Sequence, residues 1–473
     1  MKTLYEELVS YSDQNILPCH MPGHKRKSFG FLPEDFVALD VTEVEGTDNL
    51  HDPQGILKAA MERAAGLCHA RETYFLVNGS TVGILAAVSA AVPEGGTLLC
   101  ARTSHKSVYH AIYLRGLKAE YLYGRPCEAA DLTEPPEPEE LAEALGRCPQ
   151  AKAVLITSPT YEGRIAKVRE LAQLAHAHGL TLIVDEAHGA HLGWSKSFPE
   201  SACEAGADLV IQSTHKTLPA PTQTALLHRN SDRVDAEKLR RFLRIYETSS
   251  PSYPLMAGID NALHVMETEG ARLLEDLKER YLSLLGDLQR ECRTLRFVPF
   301  AEGRQDPGKL VISCAGSGVT GRELARILRR EYGIETEMSM PTLVLAMLTV
   351  ADDAEDFQRL KKAILAVDGK LSENKEKDTD AGPLATCAPA PEAVCTIREA
   401  WDAQMQESPL AEASGKISGS FLYLYPPGTP ILVPGERVGE AQIRTVERCL
   451  AAGYEVHGLG GSAKDPLVSV LRA

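Results

Sequence analysis

Leu180-Thr181-Leu182-Ile183-Val184-Asp185-Glu186-Ala187-His188 and Leu209-Val210-Ile211-Gln212-Ser213-Thr214-His215-Lys216 each run from a short apolar stretch straight into polar residues that carry chemistry. An apolar run of that length without polar alternation suits a strand covered on both faces, as in a parallel sheet flanked by helices. Thr73-Tyr74-Phe75-Leu76-Val77, Thr97-Leu98-Leu99-Cys100 and Ala153-Val154-Leu155-Ile156-Thr157 have the same character. Amphipathic helical patterns such as 167–178 lie between them. The alternation over 72–227 therefore predicts βαβ units and an α/β fold with a mainly parallel sheet.

Outward from this core, Pro251-Ser252-Tyr253-Pro254 punctuates the chain before a long helical pattern at 256–291. Strands are expected at 309–313 and 343–349 and helices at 321–332 and 354–367, which makes a smaller α+β unit. Residues 368–395 mix Lys, Glu, Asp, Ala and Pro with little periodicity and read as a linker. The expected division is an N-terminal segment 1–40, a large ligand-binding domain 41–250, a small domain 251–367, the linker 368–395 and a C-terminal module 396–473.

Composition narrows the function classes. The 473 residues are 44% hydrophobic and 24% charged, as in an ordinary globular protein, which excludes a mainly disordered, collagen-like or coiled-coil chain. Fifty Lys and Arg against 65 Asp and Glu give a net charge of −15, so nucleic acid and anionic membrane surfaces are not expected partners. Met1-Lys2-Thr3-Leu4-Tyr5-Glu6-Glu7 places acids where a secretory signal would be apolar, and the expected compartment is the cytoplasm. The 11 cysteines are odd in number and form no C-x-x-C pair, so reduced thiols are expected and no structural zinc.

Ligands of open α/β sheets bind at the carboxyl ends of the strands, and three features fall there. Asn78-Gly79-Ser80-Thr81 precedes a helical pattern at 82–92, so backbone N–H groups and two hydroxyls could cradle a phosphate. Ser80 also suits a helix N-cap, and the two readings are compatible. Asp185 stands at a strand tip with apolar residues behind it, where a carboxylate needs a cation: a protonated ring nitrogen, or a metal shared with His188 and His191. No further ligands complete a metal site, and no metal is expected. Lys216 follows the next strand in a crowded neutral segment, where burial lowers an amine pKa and makes it a Schiff-base nucleophile. A phosphate cup, a ring-nitrogen acid and a tethering lysine on one sheet edge match what pyridoxal 5′-phosphate (PLP) requires of its protein.

These residues, with His20-Met21-Pro22-Gly23-His24-Lys25, Gly46-Thr47-Asp48-Asn49-Leu50-His51-Asp52-Pro53, Ser104-His105-Lys106-Ser107 and Tyr425-Pro426-Pro427-Gly428, resemble the bacterial Orn/Lys/Arg decarboxylase family. The short chain is most similar to its small arginine decarboxylase-like members. The resemblance implies an aspartate-aminotransferase-like fold type I PLP domain within 41–250, with smaller α+β C-terminal domains. It makes Lys216 the covalent tether and Asp185 the partner of the pyridine nitrogen. His105 would stack on the ring; Ser80, Thr81, Ser213 and His215 would bind phosphate; Ala187 would pack beneath the ring. His188 joins this cofactor set with its role open. The implied reaction is α-decarboxylation of a basic amino acid in polyamine biosynthesis. Arginine to agmatine comes first, and lysine or ornithine is the alternative. Transamination, a lyase reaction on the same scaffold and a non-catalytic paralogue are the remaining readings, and a homodimer or higher homo-oligomer is implied. Where the family commonly has Ala-Asp after Glu335-Thr336-Glu337, this chain has Met338-Ser339. A substrate-side carboxylate is therefore sought in Glu45 and Asp48, which could meet a distal guanidinium or ammonium.

Overall fold

The computed structural model describes residues 2–14, 22, 33–127, 129–373, 390–425 and 428–472. Of the motifs above, the 20–25 block apart from Pro22, most of the linker, and Pro426 and Pro427 lie outside the described residues. Seven strands form one mostly parallel sheet: β1 (Glu72–Leu76), β2 (Thr97–Ala101), β3 (Lys118–Leu122), β4 (Ala153–Thr157), β5 (Thr181–Asp185), β6 (Leu209–Gln212) and β7 (Ala225–Arg229). Sequence patterning located five of them. It missed β3, whose Lys-Ala-Glu-Tyr-Leu is only half apolar and half buried, and β7.

The chain divides into two compact units that interleave along the sequence, whereas the expected blocks were contiguous. The first comprises Met1–Pro93, Lys152–Ser158 and Lys167–Glu275. It carries the strand order β1-β7-β6-β5-β4. β4 pairs parallel with β5 and β5 with β6, while β7 runs antiparallel to both β6 and β1. All residues of β5, β6 and β7 are buried, as expected of strands covered on both faces, including the polar Thr181, Asp185, Gln212, His228 and Arg229. The helix Gly79–Ala91 is apolar nearly all round and buries Val82, Ile84, Ala86, Ala87 and Val88. Its closeness to the sheet depends on Gly83, where an added Cβ would sit 2.9 Å from both Ile211 Cγ2 and Leu76 Cδ1. The N-terminal helix Leu4–Ser12 is tied down by buried Asp260, which accepts the Leu4 N–H at 2.7 Å and pairs with the Arg63 guanidinium.

The second unit comprises Glu94–Ala151, Pro159–Ala166 and Asp276–Ala473. β2 and β3 pair parallel within it. Its other strands are β8 (Arg296–Phe297), β9 (Lys309–Ser313), β10 (Met338–Met340), β11 (Leu343–Met347), β12 (Met405–Pro409), β13 (Leu422–Tyr423), β14 (Pro430–Leu432), β15 (Leu459–Gly461) and β16 (Pro466–Leu471). They build antiparallel sheets in the orders β10-β11-β9-β8, β12-β16-β15 and β13-β14. Buried Arg102 and Glu436 form an ion pair at 2.9 Å, joining the residue after β2 to the C-terminal part of the chain. The helix expected at 354–367 continues as Ala354–Glu373. Asp368, taken from composition as the first linker residue, is buried and accepts N–H groups from Arg293, Thr294 and Leu295 at 2.8, 2.9 and 2.7 Å. A charge that looked like a solvated linker residue instead satisfies the backbone that follows another helix. No helix among the described residues is long and apolar enough to cross a membrane.

Candidate active site

The first unit brings most of the expected cofactor residues to the carboxyl ends of β5 and β6 and to the turn after β1. Asp185 is the last residue of β5 and pairs in register with Ile211 of β6. Only 3% of its surface is exposed, and Oδ1 accepts the Ala187 N–H at 3.2 Å. Burial raises its pKa, and the nearby positive charge of Lys216 pulls it back down, followed by the Ala187 N–H. A carboxylate so placed is stabilised by whatever cation reaches it.

Lys216 lies in the short helix Thr214–Thr217 that follows β6. Its Nζ is 3.1 Å from Nε2 of buried His188, so the residue whose role the sequence left open meets the amine directly. His191, the other histidine of that segment, packs edge-on against Phe198 with ring centroids 5.5 Å apart. Among the described residues no group of three or more His, Cys, Asp or Glu is placed to hold a metal ion.

The phosphate cup takes shape differently from a simple helix cap. Asn78 is the N-cap of the helix Gly79–Ala91, and Ser80 sits inside its first turn. The Ser80 hydroxyl lies 2.6 Å from the Ser213 hydroxyl, joining two of the expected phosphate ligands. Thr81 is exposed at the same helix start, where backbone N–H groups lack intrahelical partners. The turn needs Gly79, whose φ is +75°. It is braced from behind by Glu247, which accepts the Val77 N–H at 3.1 Å. His215 bonds through Nδ1 to the Thr224 carbonyl at 2.8 Å, and burial lowers its pKa, which favours a neutral ring. Ala187 is buried beside Asp185.

His105 belongs to the second unit. It is the N-cap of the helix Lys106–Arg115, where Nδ1 accepts the Ser107 N–H at 3.3 Å. That bond places the proton of the neutral ring on Nε2.

The acid-rich segment corrects one expectation. Asp48 accepts N–H groups from Gln54, Gly55 and Lys58 at Oδ2 and from Leu57 at Oδ1, at 2.9, 2.7, 3.4 and 2.9 Å. Both oxygens are spent on the start of the helix Ile56–Leu67, so Asp48 caps a helix and does not offer a free carboxylate to a substrate cation. Glu45 is exposed.

Sequence reading also missed a buried polar chain beside the site. Glu186 accepts from Gln212 Nε2 at 2.7 Å and from the Ala202 N–H at 2.8 Å. Gln212 Oε1 lies 3.0 Å from His228 Nε2, and His228 Nδ1 lies 2.8 Å from the Thr73 hydroxyl. Burial pushes Glu186 up to about 8 and His228 down to about 3. The signal was available in the apolar strands Leu-Val-Ile-Gln and Ala-Leu-Leu-His-Arg: a polar residue inside such a run is buried and needs a partner.

A doubly wound sheet edge that presents a buried carboxylate, a primary amine and paired hydroxyls at a helix start defines a fold type I PLP-binding protein. The donor set fits the group: the amine suits its aldehyde, the buried carboxylate its pyridinium, and the hydroxyls its phosphate. Comparison with known proteins carries this to a family. The model of the Orn/Lys/Arg decarboxylase major domain matches residues 2–304, and that of the C-terminal domain matches 384–455. An arginine decarboxylase of Bacillus subtilis is 31% identical over 472 residues, covering 96% of this chain and 95% of the relative. In fold, the chain is similar to the Francisella novicida lysine decarboxylase LdcF, with a TM-score of 0.87 at 18% identity, over 99% of this chain and 81% of that one. A serine palmitoyltransferase of Sphingomonas wittichii is a more distant likeness, with a TM-score of 0.57 at 16% identity, over 78% and 84% of the two chains. The chain belongs to the Orn/Lys/Arg decarboxylase family, a family of PLP-dependent carboxy-lyases.

Proposed function

We propose that this enzyme decarboxylates arginine to agmatine, with Lys216 and Asp185 at its catalytic centre. The observation that supports the chemistry is the pairing of β5 and β6, which sets a buried acid and an amine at the ends of neighbouring parallel strands. The choice of arginine rests on the similarity to the Bacillus subtilis arginine decarboxylase along nearly the whole of both chains. The likeness in fold to a lysine decarboxylase supports lysine as the second reading.

Ser80, Thr81, Ser213 and His215 would hold the phosphate of PLP, Ala187 would support the ring, and Lys216 would tether it. PLP supplies an electron sink for the pair left on Cα when CO2 departs. Asp185, with one carboxylate oxygen already accepting the Ala187 N–H, would pair with the pyridine nitrogen as an ion pair and favour its protonated form. Its burial strengthens that ion pair by excluding competing water. His188 Nε2, 3.1 Å from Lys216 Nζ, is placed to take a proton from the lysine amine or to return one to it. His105 would stack on the cofactor ring, as the family resemblance implies, and its Nδ1 accepts the Ser107 N–H. With Asp48 occupied by the backbone, Glu45 is the predicted acid left for a distal cation. A homodimer remains the expected assembly.

The test is CO2 release by pure protein with PLP, using arginine, lysine and ornithine. Arginine should give the highest kcat/KM. A lysine preference would overturn the substrate assignment, and keto-acid formation without CO2 would overturn the reaction.

A further inference from the structure

The hydrogen bonds that link Glu186, Gln212, His228 and Thr73 run between side chains given no chemical role, across four neighbouring strands beside the site. Thr73 is on β1, His228 on β7, Gln212 ends β6, and Glu186 directly follows β5, in the sheet order β1-β7-β6-β5. Thr73 and His228 are paired in register. The four residues are 4%, 0%, 3% and 1% exposed, so bulk solvent does not compete for their hydrogen bonds. Each link falls within hydrogen-bond distance, at 2.8, 3.0 and 2.7 Å, and the Ala202 N–H closes the Glu186 end at 2.8 Å.

We propose that this chain positions the cofactor-binding residues by clipping the end of β5 to the end of β6. The backbone ladder between the two strands stops at Asp185 and Ile211, and the last link is the Glu186 N–H to the Ile211 carbonyl at 2.8 Å. Beyond it, the Glu186–Gln212 side-chain bond is the connection that continues the pairing. Asp185 and Ala187 flank Glu186, and Ser213 directly follows Gln212, so the clip sets the ring-side acid against the turn that carries the phosphate ligands and Lys216. Strand alternation turns Glu186 away from Asp185, so the clip acts through the backbone and not by contact with the ligand.

The chain also has one consistent direction. With Gln212 Nε2 donating to Glu186, its Oε1 must accept from His228 Nε2–H, which leaves His228 Nδ1 to accept from the Thr73 hydroxyl. Burial keeps His228 neutral, so the tautomer is determined by its partners. Removing His228 frees the Gln212 amide to rotate and releases the clip, while removing the Thr73 hydroxyl loosens the imidazole that orients it.

This inference rests on the site proposed above, and the experiment separates the two. Purified apo-protein of His228→Phe, His228→Gln and Thr73→Val is titrated with PLP, and the visible absorption and induced circular dichroism of the bound cofactor are recorded, with Lys216→Ala in parallel. His228→Phe should weaken PLP binding at least tenfold and change the induced dichroism. His228→Gln retains an N–H at the Nε2 position and should recover most of the loss. The near-isosteric Thr73→Val should give an intermediate loss of about threefold. Far-UV dichroism confirms folding, and Thr73→Val remains decisive where His228→Phe does not fold. Wild-type PLP affinity and dichroism in folded Thr73→Val or His228→Phe would reduce the chain to a stability element and overturn the proposal. If Lys216→Ala kept the wild-type visible band, the site assignment itself would fall.

Discussion

Asp48 connects four backbone N–H groups at the start of the helix Ile56–Leu67, and substituting Asn would turn one of its two oxygens into a donor facing another donor. If the remaining oxygen stays with Gln54 and Gly55, the bond to the Leu57 N–H is lost, at about 1 kcal/mol. Loss of the negative charge at a helix N-terminus adds about 0.3–1 kcal/mol. The total of about 1.3–2 kcal/mol corresponds, for a 473-residue chain with about 2.1 cal/mol/K of unfolding entropy per residue, to a Tm lower by about 1–2 °C. Substrate selection should not change, because the carboxylate faces the backbone. The assay pairs thermal unfolding with kcat/KM for arginine, lysine and a neutral-side-chain analogue of arginine, measured well below the variant's Tm. The three kcat/KM values should fall by the same small factor. A loss above tenfold for arginine alone, with unchanged Tm, would refute the capping argument and return Asp48 to the substrate.

Lys216→Ala should abolish turnover and the visible band of bound PLP while leaving far-UV dichroism unchanged, because the tether is lost and the sheet is not. Asp185→Asn should still bind PLP but lose kcat by orders of magnitude; a loss under about tenfold, or ~1.4 kcal/mol of barrier, would contradict its role at the ring nitrogen. Ser80→Ala should weaken PLP binding with little effect on stability, since Ser80 is not the helix cap; unchanged affinity alongside a Tm drop would reverse that reading. A pH dependence follows from His228, which is held neutral in the fold with its pKa at about 3 against 6.5 when unfolded. Below pH 6.5 the unfolded chain takes up a proton that the native state refuses, so stability is full above 6.5 and declines as pH falls towards 3. Between pH 7 and pH 5 the wild type should lose about 2 kcal/mol more than His228→Phe in urea unfolding; equal losses would show that His228 titrates normally.

The sequence alone determined the sheet core and the placement of Asp185 and Lys216 at the carboxyl ends of its strands. β4, β6, β9 and the helix Gly321–Tyr332 fall where apolar runs and periodicity put them, because burial on both faces leaves an unbroken apolar pattern that little else produces. Asp185 was legible for the same reason, as a charge that ends such a run at a strand tip, and Lys216 because it falls in the short segment that follows the next strand, where ligands bind. Pattern could not decide what a polar residue does once partners from distant parts of the chain arrive. Asp48 looked like a substrate acid, and Ser80 suited a helix cap. In the structure Asp48 holds the start of a helix and Ser80 turns to Ser213, 133 positions away in the chain. Asp368 looked like a linker charge and is buried against residues 293–295. His188 had no role until the fold set it against Lys216, and the Glu186 chain exists only because four strands lie in one order. Hydrophobic burial follows local sequence period and can be read along the chain, whereas a hydrogen bond depends on the placement of both partners within a few tenths of an ångström, which only tertiary packing supplies.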